Sequence, residues 1–210
     1  MDRGVFISIE GGEGVGKSTQ ISALKQALED HSISVLLTRE PGGTDGAEAI
    51  RSLLLDGSDD RWGAGPEALL FAAARGDHVE KRIKPALAAG TWVISDRFID
   101  SSRAYQGASL GLGDADVLEL HRIGSGGFLP DRTLILDLND EEAARRASVR
   151  DQGKADRIGG RDAAFHAQVR RAFHHYANTE PNRVRLIDAS GAPSAVTIRL
   201  LDAIRDLLPS

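Results

Sequence analysis

A lysine and a hydroxyl set directly behind a run of glycines are suited to hold a polyphosphate. In EGGEGVGKST (10–19), Gly11, Gly16, Lys17 and Ser18 fit the pattern G-x-x-x-x-G-K-[ST]. Glycines let the backbone curl until successive N–H groups face phosphate oxygens, and a helix starting there adds its positive end. Lys17 would reach the β- and γ-phosphates, and the Ser18 hydroxyl can ligate Mg²⁺. The loop Gly11, Gly12, Glu13, Gly14, Val15, Gly16, Lys17, Ser18 and Thr19 is therefore read as a nucleoside-triphosphate site. Glu13 is its odd member. A carboxylate among phosphates repels them unless a cation or a hydroxyl takes it up.

Asp96 ends an apolar run, TWVISD (91–96), where open parallel sheets present ligand-binding residues, and it can hold Mg²⁺ through water. Asp137 in TLILDL is a rival with apolar flanks on both sides, which suits a structural role better. The acceptor decides what else is needed. A hydroxyl acceptor wants a carboxylate base, whereas a phosphate acceptor is already anionic and wants cations that align two repelling groups. Arginines stand at the right places for the second case: Arg97 after Asp96, Arg39 after the second strand, and Arg51 one short helix onward. Further arginines at 145, 146, 150, 157 and 161, with glycines between them, make 145–162 a mobile basic lid. No N-K-x-D element for guanine is present, and DASG (188–191) lies too late in the chain for a switch loop.

These groups need elements to position them. VFISIE (5–10), ISVLLT (33–38), TWVISD, TLILDL (133–138) and RVRLID (183–188) read as strands. Between them, helices are expected over 18–29, 47–55, from Pro66 through Val79, near 114–123, over Phe165–Tyr176 and over 194–208. Leu69, Leu70, Ala73 and Val79 are taken as the buried stripe of the Pro66 helix. Strands alternating with helices imply an α/β fold, a mostly parallel sheet covered on both faces.

With 210 residues the chain suits one domain, 1–210, and shows no linker or repeat. A net charge of −5 argues against a general nucleic-acid surface. There is no cysteine, which excludes disulfides and thiolate metal sites. No stretch approaches the roughly 20 apolar residues that cross a bilayer, so no membrane and a cytoplasmic location are expected.

Taken together, VFISIEGGEGVGKST, LLTREPGGT, RSLLL, EALLFAAARGDHV, ISDRFIDSSRAYQG, PDRTLILDL and the later DRI with FH resemble bacterial thymidylate kinase, in order over nearly the whole chain. The resemblance implies a P-loop kinase fold with a five-stranded parallel sheet, and transfer of the γ-phosphoryl of Mg-ATP to dTMP. It makes Phe71 and Arg75, four apart on one helical face, the stacking and hydrogen-bonding partners of thymine. It puts Arg97 on the acceptor phosphate with Arg39 and Arg51 nearby, Ser102 near the base, Tyr105 beside the sugar with Gln106, and Pro41 in the TREPGGT turn. Whether Glu40–Pro41 is cis stays open. In relatives the acidic loop residue accepts from the 3′-hydroxyl of the acceptor, a role that falls to Glu13. Where that residue's neighbour is no arginine, as with Gly14 here, the lid supplies the catalytic cation, for which Arg150 and Arg157 are the candidates beside Lys17 and Arg97. Gly159 and Gly160 stand where relatives carry glutamate. A homodimer is expected on the same ground. A deoxynucleoside kinase and a nucleotide-binding switch are the alternatives.

Overall fold

The structure, a computed structural model, describes residues 3–58, 60–151 and 157–209, and for 147–151 the backbone alone. Five parallel strands, β1 (Phe6–Glu10), β2 (Val35–Arg39), β3 (Trp92–Asp96), β4 (Arg132–Asp137) and β5 (Val184–Asp188), lie in the order β2-β3-β1-β4-β5. β1 is central, paired with β3 from Phe6↔Val93 and with β4 from Ile7↔Arg132.

Alternation along the strands divides the core between the two faces. Ile7, Ile9, Trp92, Ile94, Leu134 and Leu136 face α1 (Lys17–Asp30), where Ile21, Leu24 and Leu28 meet them. The last regular helix of the chain (Pro193–Ala203) adds Val196 and Leu200 to that face, followed by a short 3₁₀ turn. On the other face Phe6 and Val93 join Val79, Ile83 and Phe98. Ile135 joins Tyr105, Val169, Phe173 and Tyr176 there.

Helices α2 (Asp45–Leu55) and α3 (Ala64–His78) follow β2. Of the stripe expected on the Pro66 helix, Val79 is buried and Leu70 half-buried, but the other two residues are not. Leu69 is 57% exposed and Ala73 is exposed, while Glu67, Ala68, Ala72, Arg75, Gly76 and His78 turn inward. The reason is a backbone-close crossing with the helix at Asp114–Ser125: a Cβ on Gly76 would stand 2.4 Å from the Gly124 carbonyl oxygen. Small residues line that crossing, and polar ones reach from the same side toward the sheet edge. α3 continues as a π-helix (Val79–Ile83) and a final turn, α4 (Lys84–Ala88). After β3, a short helix α5 (Ile99–Ser102) runs into a second π-helical stretch (Arg103–Ser109). Such i→i+5 segments are frequent at functional sites, and here the stretch carries Tyr105 and Gln106. Asp100, fully buried, anchors it by accepting from Arg103 (2.9 Å), Arg183 (2.7 Å) and Thr133 (2.8 Å).

One buried group makes the fold sensitive to acid. His121, in the helix α6 (Asp114–Ser125), lies 2.7 Å from Ser125 Oγ and 2.9 Å from the Phe128 carbonyl oxygen. Burial, with the Arg75 charge behind it, pulls its pKa from 6.5 down to about 4. Between those values the unfolded chain binds a proton that the folded chain refuses, so stability falls as pH drops through this window, by about 2 kcal/mol at pH 5. A His121→Gln variant is expected to lose that much less than the parent between pH 7.5 and 5 in urea unfolding. Parallel losses in the two proteins would contradict it.

Candidate active site

The site forms along the carboxyl edge of the sheet, where the chain leaves β1, β2 and β3. After Glu10 the loop doubles back over the edge. Gly11 turns at φ 134°, and a side chain there would meet the Leu136 carbonyl oxygen at 2.6 Å, so the position suits glycine alone. Gly16, in the left-handed region, precedes α1. Lys17 Nζ donates to the carbonyls of Gly12 (2.7 Å) and Gly11 (3.1 Å). Burial, and next the Arg97 charge, lower its pKa to about 8. Ser18 and Thr19 are exposed toward a cavity of about 410 Å³ that Gly14, Gly16, Lys17, Arg39 and Asp96 also line. Val15 turns into the core instead, so it serves the loop through its backbone.

β3 delivers Asp96 and Arg97 to the same cavity. Arg97 sits at φ 68°, a conformation that non-glycine residues adopt at a cost and that clusters at functional sites. Its backbone is held at both ends, N–H donating to the Ile9 carbonyl (3.0 Å) and C=O accepting from Ser95 Oγ (2.7 Å). The guanidinium donates to Gly11 O (3.1 Å), Ser101 Oγ (3.2 Å) and Glu13 Oε1 (2.7 Å), and lies 5.2 Å from the Tyr105 ring centre. Glu13 is thus answered by a cation, as its place in the loop requires. Below it Glu10, fully buried, accepts from the Phe98 N–H (2.7 Å) and Ser101 Oγ (2.5 Å). Burial, and next the Asp100 charge, push its pKa up to about 8. Asp96 Oδ1 is buried with no partner among the described residues.

A narrower cavity of about 90 Å³ adjoins the first, and Glu13, Glu40, Arg51 and Arg97 line both. Pro41, Phe71, Arg75, Ser102, Tyr105 and Gln106 line the narrower one, so nine of the ten residues expected to hold the acceptor surround it. The tenth, Arg39, is an exposed partner of Glu48 (3.1 Å) and faces the phosphate cavity. Arg51 donates to the Pro41 carbonyl (2.6 Å), and the Glu40–Pro41 bond is cis.

Arg75 is fixed by neighbours that sequence reasoning missed. Its Nε donates to Glu40 Oε2 (2.7 Å) and its Nη2 to Ser102 Oγ (2.8 Å). His78 Nδ1 lies 3.1 Å from Glu40 Oε1, and His78 Nε2 2.6 Å from Thr38 Oγ1, which ties the arrangement to β2. Glu67 was missed as well. It is fully buried and accepts from Gln106 Nε2 (2.8 Å). One signal was available: Glu67, Phe71, Arg75 and His78 are spaced 4, 4 and 3 apart, so three ionisable residues and one aromatic share a single face of α3.

The lid residues divide between several places. α7 (Asp140–Asp151) takes up its first part, and Arg145 and Arg146 pair there with Glu142. The side chain of Arg150 and the stretch 152–156 lie outside the described residues. Arg157 is not among the residues that line the phosphate cavity. It is buried, donating to Glu67 Oε2 (2.5 Å) and the Leu54 carbonyl (2.9 Å), because a fully buried carboxylate on α3 offers it a partner there. Among the described residues, Arg146 is the lid arginine that lines the phosphate cavity. Asp137 has the structural surroundings expected, paired with Arg170 (2.7 Å) and His174 (3.0 Å).

A family model described as thymidylate kinase matches residues 9–198. The chain is similar to the thymidylate kinase of Rhizorhabdus wittichii, at 57% identity over 98% of this chain and 99% of that one. It is also similar to that of Bradyrhizobium sp. (strain BTAi1), at 50% identity over 98% and 92%. Among solved structures, the thymidylate kinase of Ehrlichia chaffeensis superposes with a TM-score of 0.78 at 31% identity, covering 96% of this chain and 99% of that one.

Proposed function

The chain belongs to the thymidylate kinase family, whose ATP-dependent phosphorylation of dTMP to dTDP it performs, and from that premise we propose which residues carry the reaction. The loop 11–19 and Lys17 hold the phosphates of ATP. Arg97, with Arg39 and Arg51, holds the phosphate of dTMP, while Phe71, Arg75, Ser102, Tyr105 and Gln106 enclose its nucleoside. The observation that carries this reading is the seam between the two cavities, lined from both sides by Glu13, Glu40, Arg51 and Arg97. A cation at that seam can draw two anionic groups into line, the main demand of transfer between phosphates.

No general base enters the scheme. Both carboxylates at the seam are engaged, Glu13 by Arg97 and Glu40 by Arg75 and His78, which favours a phosphate over a hydroxyl acceptor. Glu13 keeps Arg97 aimed in the free enzyme and passes to the sugar 3′-hydroxyl when the acceptor phosphate takes its place. Mg²⁺ fits here: Ser18 and Asp96 line one cavity, and Asp96 Oδ1 is a buried acceptor without a partner among the described residues. When bound, the ion offsets charge on the β- and γ-phosphoryl oxygens.

Exposed Leu53, Leu69 and Ile123 lie on α2, α3 and α6, helices that pack together, and they support the proposal of a homodimer through this helical face. Light scattering that gives the monomer mass of 22.4 kDa at micromolar concentration would remove it.

A coupled assay over deoxynucleoside monophosphates tests the acceptor assignment. dTMP is expected to be turned over with far higher kcat/KM than dCMP or dAMP, and Phe71→Ala to raise KM for dTMP while leaving KM for ATP in place. Equal use of dAMP would contradict the roles given to Phe71 and Arg75.

A further inference from the structure

We propose that Glu67 is a positioning residue for the acceptor pocket, holding two of its walls at a fixed spacing and so restricting it to a pyrimidine nucleotide. The inference rests on the assignment of the narrower cavity to dTMP. The two oxygens of this fully buried carboxylate face different parts of the structure. Oε1 accepts from Gln106 on the π-helical stretch (2.8 Å). Oε2 accepts from Arg157 (2.5 Å) and Arg161 (2.7 Å). Gln106 lines the cavity, as do Ile158 and Gly159, which lie between those two arginines. The turn is fixed further by Arg157 donating to the Leu54 carbonyl (2.9 Å) and by Arg161 stacked 4.7 Å from the Phe165 ring centre.

One carboxylate therefore joins α3, the Gln106 stretch and the 157–161 turn. Simple charge neutralisation would need a single arginine. Two guanidiniums bracketing a cavity wall, with the opposite oxygen on a second wall, set a dimension instead. Hydrogen bonds to charged groups in a dry interior are strong and directional, so the spacing resists a larger ligand. Relaxing it should weaken dTMP binding and let a purine monophosphate enter.

The test is steady-state kinetics of Glu67→Gln with dTMP, dGMP and ATP. We expect KM for dTMP to rise about tenfold, kcat to change less, and KM for ATP to stay within about twofold. The preference for dTMP over dGMP in kcat/KM should shrink by about tenfold. Because Glu67→Gln disturbs a buried ion cluster and can fail to fold, Arg161→Gln is the second variant. Arg161 is only one of two guanidiniums on Oε2, and the same pattern is expected at smaller size. An unchanged KM for dTMP in both variants, or equal rises in both KM values, would overturn the inference. Phe71→Ala separates the two levels. If it too leaves KM for dTMP unmoved, the assignment of the cavity fails; if it raises KM while the Glu67 and Arg161 variants do not, only the role of Glu67 fails.

Discussion

Arg97→Met is expected to lower kcat/KM for dTMP by about 10³-fold or more, in the range that removal of a phosphoryl-clamping arginine produces. Two effects act together. The acceptor phosphate loses its guanidinium, and Glu13 loses the partner 2.7 Å away that now neutralises it. A carboxylate inside the phosphate loop that has lost this cation then repels both nucleotides more strongly. The second effect can be separated. Adding Glu13→Gln to Arg97→Met should recover part of the loss, so the two substitutions should combine to less than their sum in a double-mutant cycle. Arg97→Lys should rescue little, because a single ammonium cannot serve Gly11, Ser101 and Glu13 at once as the planar fork does. The measurement is initial rates over a dTMP series at saturating ATP, with circular dichroism to establish that each variant is folded. Intact efficiency in a folded Arg97→Met protein would remove the electrostatic account of the site.

What the sequence made readable, and what it hid, follows from the range of the forces involved. The five strands and the phosphate loop are local patterns, carried by apolar runs and glycine spacing, and each lies where those patterns put it. Arg97 and the Phe71–Arg75 pair were reachable through their neighbours in the chain. The buried acids were not. Glu10 is held by Phe98 and Ser101, about ninety positions on, Glu40 by Arg75 and His78, and Glu67 by Gln106, Arg157 and Arg161. No window of local periodicity contains such a pair, and a charged residue by itself reads as solvated surface. The α3 stripe failed in part for a related reason. Counting apolar residues selected Leu69 and Ala73 along with the buried Val79, whereas the face turned toward the site sets Phe71 among polar residues, Glu67, Arg75 and His78. A functional helix can bury its charges and expose its leucines when the site supplies partners for the former.

The lid arginines divide into two kinds, and the division predicts opposite outcomes. Arg157→Ala is expected to act on stability. Its side chain is fully buried against Glu67, and breaking a buried pair by removing one member costs about 3–5 kcal/mol. Arg161 remains on the same carboxylate oxygen, so the lower end of that range applies. At roughly 2–4 °C per kcal/mol for a chain of this size, the thermal midpoint should fall by about 10 °C. Turnover by the folded protein at saturating dTMP and low temperature should largely persist. Arg146→Ala should do the reverse. The Arg146 side chain is one-third exposed and, among the described residues, pairs with Glu142 on its own helix, an interaction that contributes little to stability. It lines the phosphate cavity, so kcat should fall by about 10²-fold or more while the midpoint stays within a degree or two. If instead Arg157→Ala kept its midpoint and lost its turnover, the buried pair with Glu67 would be a resting position that the arginine leaves during the reaction. The transferring group would then be capped from the end of the lid that Glu67 holds, and Arg146 would be a bystander.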